Sequence, residues 1–218
     1  MALELGDHIW YYDGQGNDNA IPGEQTSTDK NVPRTQWFPN ANPNDPNDYG
    51  DNGTHIFNYV VYDGVVRRGQ PHLRHGSGSY AWLNNNPGNL TGVPGGPDFG
   101  QFTDKFNWHN FLIFPDHDTG FAAIAGFLHQ GPYPSLSILD AFRKYAPGGD
   151  GPNSPEQYAA DVAAAAGVST DTLVGDLSDD QMAEMQNKIE QIEGSVPGDE
   201  LSIDDDAVPQ VIRDLVNG

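Results

Sequence analysis

The sequence contains no cysteine, which excludes disulfides, thiolate metal sites and cysteine nucleophiles. Basic residues are nearly as scarce. Four Lys and six Arg stand against 24 Asp and seven Glu, for a formal net charge of -21 over 218 residues. Neutralising phosphates requires clustered Lys and Arg, so nucleic acid is not an expected partner. Electrostatic attachment to anionic membranes is excluded for the same reason. No run of 18 apolar residues exists, so no membrane insertion is expected. The first residues, MALELGDH, lack the basic region and apolar stretch of a signal peptide. A role in the periplasm or extracellular space would then need secretion or delivery by another route. The phosphate loop, the dinucleotide glycine pattern, the GxSxG elbow and HExxH are all missing.

What is present suits a folded chain. Hydrophobic residues make up 36% and aromatics 11%, enough for a core, and 26 Gly with 17 Pro imply extensive loops. The acidity is mostly Asp and grows along the chain, from 12 acidic residues in 1–110 to 19 in 111–218. An Asp-rich, Lys-poor surface stays hydrated and screened in high salt.

The two halves read differently. In residues 1–110, short apolar pieces such as 8–12 (HIWYY) and 55–62 (HIFNYVVY) alternate with turn signals. Residues 59–67 (YVVYDGVVR) predict a hairpin with a type I′ turn at Asp63-Gly64. Residues 39–54 are almost purely turn formers and predict an exposed loop. In residues 111–218 the pattern is helical. Expected helices are 120–130 capped by Thr119, one from Ser135 or Ser137 to Tyr145, one from the Ser154-Pro155 start to Ala166, one from the capping box at Ser178–Gln181 to Glu193, and a last one over 204–216. The expected class is α+β, mainly α, with a loop-rich β region over 1–78, a helical domain over 79–198 and an acidic helical tail over 199–218.

Two metal readings are weak on their residues. His72 and His75 are close in sequence, but read more simply as loop histidines. Residues 13–19 (DGQGNDN) alternate oxygen ligands with glycine as calcium loops do, yet lack the downstream Glu of an EF-hand. No metal or cofactor is therefore expected. Residues 84–90 (NNNPGNL) are the most unusual segment, a tight turn whose amides can cap backbone groups or face a ligand. Tyr80, Trp82, Trp108 and Phe111 lie near it in sequence, and sugars are read by planar amides and aromatic faces.

Six pieces in order carry a resemblance: 84–90 (NNNPGNL), 111–115 (FLIFP), Thr119-Gly120, 145–147 (YAP), 154–158 (SPEQY) and 189–194 (IEQIEG). Over residues 79–198 the chain resembles a lysozyme-like family of phage virion proteins and bacterial secretion-system effectors that attack peptidoglycan. The same order is distantly similar to flagellar-type glucosaminidases. The chain departs from the family at 151–154 (GPNS), where Glu-Asn-Asp-Thr is usual, and in its acidity. The resemblance implies a lysozyme-like helical catalytic domain and cleavage of peptidoglycan glycan strands, in the manner of a muramidase or lytic transglycosylase. It also implies an antibacterial effector or phage lysin, which as an effector would meet a neutralising immunity protein. The alternative is a non-catalytic glycan-binding or structural module of a virion or secretion particle.

Glycosidic cleavage needs a carboxylic acid that still holds its proton near neutral pH. With only seven Glu available, Glu193 stands out at the end of its helix, just before Gly194 and beside Ile189 and Ile192. It also falls on the family's Glu-Gly position. Related enzymes place this helix before the Asn turn; here it follows, as in a circular permutation. Asp63 and Asp98, with Asp104, are candidates for a second carboxylate. Asn85, Asn86, Asn89 and Gln101 are expected to orient N-acetyl groups, and Tyr158 to close the cleft.

Overall fold

A computed structural model describes residues 2–14, 17–22, 54–73, 75–107, 109–148 and 154–217. The protein is α+β. Five antiparallel strands form one sheet in the order β2-β1-β3-β4-β5: β1 (His8–Gly14), β2 (Asn17–Pro22), β3 (Ile56–Tyr62), β4 (Val65–Gly69) and β5 (Asp199–Ser202). The helices are α1 (Tyr80–Leu83), α2 (His117–Leu128), α3 (Ile138–Tyr145), α4 (Pro155–Ala165), α5 (Asp179–Glu193) and α6 (Gln210–Asn217). The expected loop over 39–54 falls outside the described residues up to position 53, as do Trp108 and residues 151–153.

Strand β3 is central and buried on both faces, and its two-residue side-chain period sorts two cores. Tyr59 and Val61 pack with Ile9, Tyr11 and Val66, and with Val208 and Ile212 from the C-terminal segment. On the other face, Val60 and Tyr62 meet Leu83 and Ile113 of the helical half. That half has its own larger core, including Phe114, Ile124, Phe142, Tyr158, Met185 and Ile189. Each fully buried side chain of this size contributes about 1.5–3 kcal/mol.

The C-terminal segment is part of the sheet. Strand β5 pairs with β4 with Arg67 opposite Glu200 and Arg68 opposite Asp199, and both pairs form ion pairs at 2.9 Å. The acidic residues expected to be tail are here complementary to two of the few arginines.

The hairpin of β3 and β4 forms at the expected place, with Tyr62 opposite Val65. Only Gly64 takes a positive φ (71°); Asp63 does not, so the turn is not the expected type I′. Of the pattern in residues 13–19, residues 13–14 lie in β1 and 17–19 in β2, with Asp13 opposite Asp18 in register, and 15–16 fall outside the described residues.

Helix starts follow side-chain caps. Ser137, Ser154 and Ser178 each accept from the backbone of the first turn, and Ser178 with Gln181 completes the capping box. Helix α2 starts three residues before Gly120 because the Asp116 carboxylate accepts from Thr119 N at 2.7 Å; Asp116, not Thr119, is the cap. Helix α6 starts at Gln210 rather than 204, since residues ahead of Pro209 are held in turns. Within residues 111–114, Phe111 and Leu112 form isolated bridges to Thr91 and Phe106.

Candidate functional site

The Asn-rich turn follows α1 directly. Asn85 and Asn89 sit in the left-handed region (φ 49° and 45°), which Asn tolerates better than most side chains. Asn86 builds the turn from inside. Its Nδ2 donates to Leu90 O (2.9 Å) and Leu112 O (3.0 Å), and its Oδ1 accepts from Leu90 N (2.8 Å). Asn85 is buried too, with Nδ2 donating to Phe114 O (3.2 Å) and Oδ1 accepting from Arg67. The amides of Asn85 and Asn86 are thus engaged by the protein. Asn84 is fully buried with neither amide atom paired among the described residues, an unfavourable arrangement that the turn tolerates.

Asn89 faces outward to the end of α5. Its Nδ2 donates to Glu193 Oε2 at 3.0 Å, and the Tyr158 hydroxyl donates to Glu193 Oε1 at 2.7 Å. The structure therefore brings together Glu193, Asn89 and Tyr158, which are far apart in sequence. Glu193 is half-buried, whereas Tyr158 is completely buried, its ring 4.8 Å from that of Phe142. The neighbouring Tyr145 hydroxyl donates to Gly88 O. A Cβ on Gly88 would lie 2.8 Å from that hydroxyl and 2.9 Å from Ile124, so glycine is needed for the turn to seat here. Gly120 of α2 packs on the same turn; a Cβ there would lie 1.7 Å from Asn85 O.

The junction is completed from the other side. Ser79, the cap of α1, donates through Oγ to Gly194 O (3.2 Å) and accepts from Val196 N (3.0 Å). It fixes the start of α1 to the backbone just beyond Glu193. Next to Ser79, Tyr80 forms a half-buried aromatic group with His109 (5.0 Å) and Phe111 (5.9 Å).

The remaining expected residues lie elsewhere or serve local turns. Asp63 is exposed in the β3–β4 turn. Asp98 accepts from Gly100 N at 2.8 Å, and Asp104 from Gly95 N at 2.9 Å. Gln101 closes its own loop, donating to Pro97 O (2.9 Å) and accepting from Phe99 N (2.7 Å). Among the described residues no hydrogen bond or ion pair joins Asp63 or Asp98 to Glu193. No group of three or more His, Asp or Glu among them is placed to hold a metal. His72 stacks on Trp10 at 6.0 Å and lies 3.5 Å from the Asn58 amide.

Two features had no place in the sequence reading. Arg67 reaches from β4 across to the turn, donating through Nη1 to Trp82 O (2.7 Å) and Asn85 Oδ1 (2.5 Å), with its guanidinium over the Trp82 ring at 4.8 Å. The only local signal was an arginine in a chain that has six. The second is His117 at the start of α2, whose Nε2 lies 2.7 Å from Glu190 Oε1. The hydrogen bond with Glu190 holds His117 above the usual histidine range; partial burial opposes this and the Asp118 carboxylate adds to it.

No known protein family, curated protein or solved structure matches the chain.

Proposed function

We propose that this protein cleaves the glycan strands of peptidoglycan, at the β-1,4 bond between N-acetylmuramic acid and N-acetylglucosamine. One observation carries the reading: a Glu at a helix end is held by an Asn from the Asn-rich turn and by a buried tyrosine hydroxyl. A glycosidic acid must be aimed at the bridging oxygen before the bond breaks, and these two hydrogen bonds hold the Glu193 carboxyl in one orientation. Glu193 gives a proton to that oxygen. Asn89 and Tyr158 fix the carboxyl plane. The biological setting proposed with this chemistry is an antibacterial effector or phage lysin acting in the periplasm or outside the cell. Such an effector would be opposed by an immunity protein.

The test is Glu193→Gln on purified sacculi, read by turbidity and by release of reducing ends. The amide keeps the side chain's shape, so a folded variant with a rate about a hundredfold lower or less supports the acid role. Full activity in that variant refutes it.

A second reading has its own observation. Both carboxylate oxygens of Glu193 are occupied by protein donors, which also describes a structural link between α4, α5 and the turn. A non-catalytic glycan-binding or particle module would bind sacculi without clearing them. Glu193→Gln would then lower the melting temperature and leave binding unchanged.

A further inference from the structure

Cleavage by water needs a second group to take the water's proton; Asp63 lies exposed in the β3–β4 turn and Asp98 caps the Gly100 amide of its own loop. We propose that Glu190, held by His117, is that group; the inference rests on the reading of Glu193 as proton donor. Gln186, Glu190 and Glu193 are spaced four and three apart, so they form one stripe along α5. Helix α2 lies along this stripe in the opposite direction. Gln186 Nε2 donates to Phe121 O at 2.8 Å, and one turn further on Glu190 Oε1 meets His117 Nε2 at 2.7 Å. The start of α2 therefore sits beside the end of α5, and the same helix rests on the Asn turn through Gly120. Glu190, Glu193 and Asn89 share one corner of the fold.

Residues three apart on a helix have Cβ atoms about 5–6 Å apart. The two carboxyl groups then diverge, Glu190 toward α2, Glu193 toward α4 and the turn. Inversion requires the two carboxyls about 6.5–9.5 Å apart with the sugar's C1 between them, and divergence is what allows that spacing. His117 faces Glu190 from α2, with Asp118 at 3.7 Å on its own helix and the Phe121 ring stacked beneath it at 6.1 Å. Glu190 is about a third exposed, so solvent reaches it.

The step balances. The Glu193 carboxyl proton goes to the bridging oxygen, and the bond from C1 to that oxygen breaks with its electron pair left on the oxygen. The water oxygen bonds to C1 while its proton passes to the Glu190 carboxylate. One water is consumed, the product is inverted at C1, and solvent returns the proton from Glu190 to Glu193. His117 is a positioning residue: it fixes which Glu190 oxygen stays open to water.

The experiment uses the full chain on purified sacculi, with product anomers read by NMR and fold by thermal melting. Wild type should give the inverted sugar. Glu190→Ala should lose about a hundredfold or more in rate at an unchanged melting temperature. Added formate or azide should restore Glu190→Ala and not Glu193→Ala, because the small anion replaces a base but not a proton donor. His117→Asn should remove from the pH–rate profile the inflection that His117 contributes above the ordinary histidine range. Activity of Glu190→Ala within about threefold of wild type, with Glu193→Gln inactive, overturns the inference and leaves the acid role of Glu193 standing. A loss without anion rescue and with a lowered melting temperature overturns it as a packing effect. Wild-type products ending in 1,6-anhydro rings overturn it too, since the sugar's own hydroxyl would then be the attacking group. A wild type that releases nothing removes both readings.

Discussion

Replacing Arg67 by Met tests whether the sheet and the Asn-rich turn are one mechanical unit. The guanidinium donates to Trp82 O at 2.7 Å and to Asn85 Oδ1 at 2.5 Å, and its Nε donates to Glu200 Oε2 at 2.9 Å. It also lies over the rings of Trp82 (4.8 Å) and Tyr62 (5.1 Å), with its side chain 18% exposed. Methionine keeps most of the apolar stem and removes every donor. The two bonds to uncharged acceptors are made by a charged group in a partly buried site, and together contribute about 3 kcal/mol. The ring contacts add about 1 kcal/mol. The ion pair adds little, about 0.5 kcal/mol, because Glu200 is half exposed and solvent screens it. Methionine packing on the rings returns some of this, so the net loss is about 3 kcal/mol, or roughly 6–12 °C in melting temperature for a chain of this length.

Urea unfolding followed by tryptophan fluorescence and circular dichroism measures the effect. A double-mutant cycle with Asn85→Ala isolates the arm that reaches the turn, and a coupling of about 1–2 kcal/mol is expected. Glu200→Gln alone should cost under about 1 kcal/mol. If Arg67→Met lies within about 0.5 kcal/mol of wild type, the clamp contributes nothing and the coupling of sheet to turn is refuted.

Two further perturbations have opposite-sign alternatives. His8 is fully buried beside Asn58, and burial lowers its pKa to about 4, with the Asn58 hydrogen bond opposing. The unfolded chain takes up this proton near pH 6.5 and the folded chain does not. The contribution of His8 to stability is therefore complete above pH 6.5 and declines as pH falls toward 4, by about 3 kcal/mol in all. His8→Gln should remove that part of the slope in urea titrations between pH 7 and 4.5; an unchanged slope assigns it to other groups. Gly120→Ala should destabilise strongly, by about 3 kcal/mol or more, because the new Cβ would meet Asn85 O at 1.7 Å. Helix propensity alone predicts a gain of about 1 kcal/mol, so a higher melting temperature would show that α2 does not rest on the turn.

The parts of the fold that were legible in the sequence are those whose determinants are local. Ser137, Ser154 and Ser178 act on amides three residues away, so their helices begin where the pattern places them. Helix α2 shows the limit. Asp116 and Thr119 are both good capping residues three apart, and the polar first turn of His117 and Asp118 looks like loop until the Asp116 carboxylate is seen on Thr119 N. Strand β5 was not legible at all. The residues of Asp199–Ser202 are mostly exposed and do not alternate. Their pairing is specified by Arg67 and Arg68 about 130 residues earlier, which no local window contains.

The site divides along the same line, and the division bears on what kind of catalyst this could be. Glu193 could be picked out because Glu is rare and because it ends a helix; Asn89 could be picked out because three Asn before Pro-Gly are unusual. Their meeting across 104 positions depends on how α5 docks, yet each residue was already distinctive alone. His117 and Glu190 are ordinary helix residues taken singly, a first-turn His and a last-turn Glu. They become a unit only because Gly120 lets α2 settle onto the turn and brings its first residues level with the last turn of α5. The same contact that seats the Asn turn thus aligns both carboxylates. If Glu193 and Glu190 have the proposed acid and base roles, a substitution that lifts α2 without unfolding it should impair proton donation and water activation together, whereas Glu193→Gln and Glu190→Ala should impair them one at a time. Gly120→Ser in a stabilised background, compared with the two carboxylate variants on sacculi, separates the cases. Loss that formate cannot restore is expected if the docking of α2 organises both groups; rescue by formate would mean that Glu193 keeps its place without it.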